Sequence, residues 1–167
     1  MLIRPATAED LEVIVDYNAR LAFESEGKRL DLALLRPGVA AVLADPSKGR
    51  YYVAEIAGQV VGQIALTFEW SDWRNGFFWW IQSVYVHPDH RRGGIFKALY
   101  RHLEEQANQD ANVIGIRLYV EAENHAAHAV YEKLGLAWTD YSVMERYPLE
   151  TPALDDSRRA IAHHEAI

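Results

Sequence analysis

The spacing of apolar residues changes character repeatedly along this chain, and each change marks an element. "LIRPAT" reads as a short strand that ends at Pro5. Thr7 followed by Asp10 resembles a helix cap with an acid at its third position. Leu11, Ile14, Val15, Asn18, Leu21 and Ala22 then follow helical spacing. A second helix is predicted from Leu32 to Ala44, and Pro37 and Gly38 inside it predict a break or a fresh start. "DPSKGR" is a loop. "YYVAEI" and "VVGQIALTFEW" are strand-like and flank the short turn Ala57-Gly58-Gln59. Asn75-Gly76 is a second turn, after which "FFWWIQSVYV" completes an antiparallel meander.

A Pro turn, two arginines and two glycines follow, and then an amphipathic helix with Ile95, Leu99, His102 or Leu103, and Gln106 on one face. "VIGIRLYVEA" is a continuous apolar run of the kind found in a central strand. "ENHAAHAVYEKLGL" reads as a helix capped by Asn124 and stopped at Gly135. "WTDYSVMERYPLE" is predicted to supply one or two final strands. From Pro152 the polar remainder reads as a peripheral helix or a loose tail. The order is one strand, two helices, three antiparallel strands, helix, strand, helix, strands. This is a mixed α/β chain with one domain over residues 1–150 and a C-terminal tail over 151–167.

Composition narrows the function. Half of the 167 residues are hydrophobic, enough for a substantial core, yet no apolar run reaches the length of a membrane helix. "MLIRPATAEDLEVI" lacks the basic-then-apolar pattern of a signal peptide. The absence of Cys excludes disulfides, thiolate metal sites and cysteine nucleophiles, and fits a reducing, cytoplasmic setting. The net charge of -7 argues against a nucleic-acid binder.

Against that acidic background, "VYVHPDHRRGGIFKAL" concentrates Arg91, Arg92, Gly93 and Gly94 at a strand-to-helix junction. The first amides of a helix lack intrahelical partners and the helix dipole adds positive charge there, so the junction suits a phosphate. The alternative is a helix start with solvated basic residues. Neither G-x-x-x-x-G-K-[ST] nor G-x-G-x-x-G after the first strand is present, which disfavours a P-loop enzyme or a standard dinucleotide-binding fold.

"VYVHPDHRRGGIFKAL", followed about thirty residues later by "VEAENHAAHAVYEKLGL", resembles the GNAT superfamily of acyl-CoA-dependent N-acyltransferases. Arg91, Gly94 and Phe96 occupy the marked positions of that family's loop [R/Q]-x-x-G-x-[G/A], with Phe96 where a small residue is usual. Asn124, Ala127, Tyr131, Lys133 and Gly135 match its second motif. The resemblance implies a mostly antiparallel sheet, splayed at a cofactor slot and flanked by helices. It implies acetyl-CoA as cosubstrate and transfer to an amine of a small molecule or peptide, without a covalent enzyme intermediate. The backbone amides of Arg92, Gly93, Gly94, Ile95, Phe96 and Lys97 would wrap the pyrophosphate, with Arg91 in support. Val84 and Val86 would bond the pantetheine amides, and Asn124 and Ala127 would border the cofactor. The Phe96 side chain must then point away from the pyrophosphate.

The resemblance makes Tyr131 the proton donor to the departing thiolate; its other reading is a core aromatic. Asn124 is equally a simple helix cap. The base is open, because "FFWWIQSVYV" carries no carboxylate, and Gln82 and Ser83 sit where relatives often have one. Glu69 and Glu123 are the candidates taken forward, with Asp72 and Glu121 behind them. Glu121 and Glu123 would share a strand face. His87 reads as a turn residue, His102 and His128 as structural, and His163-His164 as no metal site. Trp70, Trp73, Phe77, Phe78, Trp79 and Trp80 form core packing, a homodimer surface, or a wall for the acceptor with a cation–π contact to its amine. Two rivals to catalysis stay open: an acyl-CoA-binding regulatory module without turnover, and a cofactor-free assembly module using the Trp-rich face.

Overall fold

In the computed structural model, which describes residues 1–148, nine elements follow one another in the predicted order. They are β1 (Leu2–Pro5), α1 (Leu11–Glu26), α2 (Leu32–Ala44), β2 (Arg50–Ile56), β3 (Gln59–Ser71), β4 (Gly76–Val86), α3 (Ile95–Gln109), β5 (Val113–Leu118) and α4 (His125–Lys133). Two units result, one over Met1–His128 and a second beginning at Ala129. The predicted boundary at residue 150, the tail and His163-His164 lie outside the described residues.

The entry to α1 is set by charge as well as by capping. The Asp10 carboxylate accepts from the Thr7 backbone N–H (2.7 Å) and from both terminal nitrogens of Arg4 (2.8 and 2.9 Å). Arg4 Nε also donates to Glu55 (2.9 Å), so one guanidinium joins β1, α1 and β2. Asp10 is buried, and its pairing with Arg4 holds its carboxyl below the usual range.

Contrary to the predicted break, α2 runs through Pro37 without interruption. A proline inside a helix costs about 3 kcal/mol. Val39, Leu35 and Leu43 pack against Ile14, Val15 and Val53, and each buried aliphatic side chain is worth about 1.5–3 kcal/mol. That packing outweighs the missing hydrogen bond, and the Asp31 side chain caps the helix by accepting from Ala33 N–H (2.8 Å).

The five strands form one sheet in the order β1-β2-β3-β4-β5. All ladders are antiparallel except β4 with β5, which is parallel. Ala57 and Gly58 both take positive φ, as a tight hairpin requires, and join β2 to β3. The α1–α2 pair covers one face of the sheet through the Ile14 cluster. On the other face α3 buries Ile95, Leu99 and Leu103. A Cβ added at Gly62 would meet Ile95 Cγ2 at 3.0 Å, so the glycine permits this close approach.

The parallel ladder ends at Ile81↔Leu118, while β4 continues to Val86. The strand predicted to run through Ala122 therefore stops at Leu118, because β4 no longer supplies partners beyond Ile81. With no strand there, Glu121 and Glu123 have no common strand face. The final strands predicted over 138–150 are also absent among the described residues, which reach 148, since none of the ladders includes them. Asn124 caps α4 as predicted, its Oδ1 accepting from Ala127 N–H (3.1 Å), and Gly135 takes the left-handed conformation just past the helix end.

Candidate functional site

The site is built around the last five residues of β4. In the β3–β4 ladder Leu66 pairs with Ile81 and Ala65 with Ser83, so Gln82 is an extra residue in β4, a β-bulge. One extra residue reverses which peptide groups face which neighbour. Before the bulge, Phe77 N–H donates toward β5, to the Asn112 carbonyl (2.7 Å). After it, His87 N–H donates toward β3, to the Val61 carbonyl (2.9 Å). By alternation the peptide groups of Ser83 and Tyr85 also turn to β3. Those of Val84 and Val86 turn to the edge that β5 has vacated. The sheet thus offers an unladdered backbone edge at the two residues singled out for an extended ligand.

The strand leads into a 3-10 turn at Pro88–His90 and then into the glycine loop. Arg92 adopts φ 64°, unusual for a residue with a side chain, and Gly94 adopts φ 79° as the cap of α3. Successive peptides in such mixed hands turn their N–H groups toward a common concavity. The first intrahelical bond of α3 is donated by Ala98 N–H to the Gly94 carbonyl (3.0 Å), so the amides ahead of it project from the end of the helix. A Cβ at Gly94 would find nothing within 4 Å, so this side of the loop is open to a ligand. The Phe96 ring packs 6.3 Å from that of buried Tyr100, one helical turn on.

The two arginines differ. Arg91 donates to Glu24 on α1 (2.5 Å) and, through Nε, to the Val86 carbonyl (2.9 Å). Its guanidinium also lies 5.3 Å from the Tyr85 ring centroid, and the Tyr85 hydroxyl donates to the other Glu24 oxygen (2.7 Å). Pairing with Arg91 holds the Glu24 carboxyl below its ordinary range. Arg91 therefore braces the loop rather than presenting a free charge. Arg92 and Lys97 are exposed and make no ion pair among the described residues. Glu24 was not legible as a site residue, since 67 positions separate it from Arg91.

On the face of the sheet covered by α1 and α2, an open cavity of about 290 Å³ lies between α1, α2, β2 and β4. Asn18, Tyr51 and Ser83 form its polar part, and Leu21, Leu30 and Leu35 its apolar wall. Behind it, fully buried Gln63 donates to Asn18 Oδ1 (2.7 Å), and Asn18 Nδ2 donates to the Tyr51 hydroxyl (3.0 Å). Burial raises the Tyr51 phenol above its usual pKa and keeps it neutral. Only Ser83 of this group was singled out in the sequence.

The candidate bases are placed apart from the bulge. Glu69 accepts from Trp80 Nε1 (2.5 Å) and pairs with Arg117 (3.2 Å). It sits opposite Phe78, six residues before Val84, or roughly 20 Å along the strand. Glu123 lies in the exposed turn before α4, 3.9 Å from His125. Glu121 and Asp72 are exposed as well. Tyr131 lies on α4, and burial raises its phenol above the ordinary pKa. His102 packs against Tyr52, in line with a structural role, with ring centroids 5.3 Å apart.

The aromatic segment divides between the core and the surface. Trp79 is buried, whereas Trp73 is 87% exposed. Arg117 lies 3.6 Å from the Phe78 ring centroid, so the cation on this aromatic wall is one of the chain's own. Trp80 stacks on Tyr119 at 4.5 Å.

Residues 15–136 match the Acetyltransferase (GNAT) family. Over 107 residues the chain is 36% identical to mycothiol acetyltransferase of Streptomyces coelicolor, covering 58% of this chain and 29% of that protein. It is 37% identical over 84 residues to acetyltransferase SG1711 of Sodalis glossinidius, covering 50% of this chain and 54% of that one. The chain thus spans about half or less of the length of these relatives. The crystal structure of a possible acetyltransferase from Clostridium difficile 630 superposes with a TM-score of 0.85 at 47% identity, covering 89% of this chain and 98% of that one. A ribosomal-protein-alanine N-acetyltransferase from Brucella melitensis, at 21% identity and a TM-score of 0.73, shares the fold, with 87% of this chain and 99% of that one covered.

Proposed function

Because the chain belongs to the acetyltransferase (GNAT) family, we propose that it transfers the acetyl group of acetyl-CoA directly to an amine of a small molecule or peptide. The observation that carries the reading is the open edge of β4 at Val84 and Val86, running into a loop whose glycine cap leaves the start of α3 open.

The residues present fit the cosubstrate. The amides of residues 92–97, at the start of α3, would hold its pyrophosphate, with Arg92 and Lys97 adding charge. The Val84 peptide edge and the Val86 N–H would hold the pantetheine arm as a short added strand, the Val86 carbonyl being engaged by Arg91, and Asn124 and Ala127 would border it. When bound, acetyl-CoA supplies an acetyl thioester.

The Val84 N–H donates toward the carbonyl oxygen and stabilises the charge that develops there. Tyr131, kept protonated by burial, delivers its proton to the departing sulfur. Glu69 is occupied by Arg117 and Trp80, and Glu123 is at the surface, so neither is assigned the amine proton. That proton leaves through water along the Ser83 and Tyr51 hydroxyls. The nitrogen–carbon bond forms as the carbon–sulfur bond breaks.

The missing carboxylate on β4 favours one second reading, an acyl-CoA-binding module without turnover. Calorimetric titration with acetyl-CoA, followed by a free-thiol release assay against an amine panel, separates the two. Binding with turnover supports the transferase. Binding without turnover of any amine leaves the module, and no binding removes both.

A further inference from the structure

We infer that the acceptor is a small amine on an uncharged apolar chain or ring, seated in the cavity between α1, α2 and β4. The inference rests on the acetyltransferase reading above and concerns only which amine is taken.

Position comes first. Ser83 lines the cavity and directly precedes Val84, whose backbone faces the vacated edge of β4. A molecule in the cavity therefore reaches the strand at the bulge, beside the site assigned to the thioester.

The polar end of the cavity is set for N–H donors. Gln63 donates to Asn18 Oδ1, which leaves Asn18 Nδ2 to donate to the Tyr51 hydroxyl. The Tyr51 hydroxyl accepts from Asn18 and also hydrogen-bonds with Ser83, so the Tyr51 and Ser83 hydroxyls form one polar edge of the cavity. Ser25 donates to the Leu21 carbonyl (2.7 Å), so its oxygen also presents lone pairs. Gln63 Oε1 is buried and has no partner, at a cost of about 1–3 kcal/mol. The side chain is thus retained for its donor end, which orients Asn18.

The rest of the lining excludes competing classes. No Lys or Arg lines the cavity, and Lys28, the cation beside the lining residue Glu26, pairs with that acid, so a carboxylate or phosphate on the acceptor would meet no open counter-charge. Its one acid, Glu26, is at the rim and pairs with Lys28 (3.0 Å), so it is not an open site for a polycation. Leu21, Leu30 and Leu35 supply an apolar wall instead. A volume of about 290 Å³ is at the lower end for small-molecule sites and equals roughly ten waters of liquid volume, which fits an alkylamine or arylalkylamine.

The test is steady-state acetyl-CoA turnover with phenethylamine, hexylamine, spermidine and glycine amide, together with phenylalanine as the carboxylate-bearing counterpart of phenethylamine. The expected result is kcat/KM at least tenfold higher for the two apolar amines than for spermidine or phenylalanine. Leu30→Glu should cut kcat/KM for phenethylamine about tenfold and leave KM for acetyl-CoA within twofold, whereas Leu30→Met, which keeps the wall apolar, should cut it less than about threefold. Leu30 is 37% exposed, so both variants should fold, with unfolding midpoints as the control. Best turnover of spermidine, glycine amide or phenylalanine would overturn the inference and leave the transferase reading standing. Acetyl-CoA binding without turnover of any amine would overturn both.

Discussion

Arg91 on the glycine loop donates to the carboxylate of Glu24 near the end of α1, and the same carboxylate accepts from Tyr85 on β4. One acid thus joins the loop assigned to the cosubstrate and the helix that walls the cavity assigned to the acceptor. Glu24→Gln should raise KM for acetyl-CoA about threefold and leave kcat within twofold. The pair is half-exposed, so stability should change by less than about 1 kcal/mol. The Glu24 carboxyl titrates below its usual range because of Arg91, so the tie is lost only as pH falls through that lowered value. Steady-state kinetics between pH 6 and 8 should therefore show a constant difference between wild type and variant.

Gly94 caps α3 at φ 79° with empty space around its missing side chain. The Cβ of Gly94→Val meets nothing within 4 Å, so its effect on folding is mainly backbone strain, about 1–2 kcal/mol. The melting temperature should fall by about 2–8 °C. Acetyl-CoA affinity should fall at least tenfold by calorimetry, because the new side chain stands where the loop is open.

Arg92 holds a left-handed conformation that glycine adopts without strain. Arg92→Gly should leave the melting temperature unchanged or slightly higher. It should weaken acetyl-CoA about two- to fivefold, the value of one exposed charge, and flatten the salt dependence of binding. Lower stability with unchanged affinity would show that the arginine serves the fold instead.

Partial burial raises the Tyr131 phenol above its ordinary range, so it keeps its proton. Tyr131→Phe should lower kcat about a hundredfold and change KM for acetyl-CoA less than twofold. The alkaline limb of the wild-type kcat profile should lie above about pH 10 and vanish in the variant. Unchanged kcat would remove the phenol from the mechanism.

Arg4 neutralises buried Asp10. Arg4→Met should destabilise the chain by about 3 kcal/mol, since it leaves a buried carboxylate without its partner, and lower the melting temperature by about 6–12 °C. The folded Asp10 pKa is depressed, so the pair's contribution is complete above the unfolded value of about 3.9 and fades as pH falls through the folded one. The gap between wild type and variant in chemical denaturation should narrow below pH 4.

Elements with a local cause could be read from the order of residues alone. The stripe from Leu11 to Ala22, the turns at Ala57-Gly58 and Asn75-Gly76, the Asn124 cap and the glycine loop all depend on neighbours within a few positions. So did the two motifs that point to the family. Other features depend on partners distant in sequence. The packing that carries α2 through Pro37 comes from α1 and β2, and the end of β5 is decided where the ladder to β4 stops after Ile81. The bulge at Gln82 exists only relative to β3, and it alone turns Val84 and Val86 to the open edge. Glu69 and Arg117 stand 48 positions apart, and Glu24 and Arg91 67, so their pairings left no local pattern to detect. Short-range order along the chain determined which backbone could cradle a phosphate. Long-range packing decided which charges remain available to it, because a carboxylate or guanidinium is spent or free according to what the fold brings beside it.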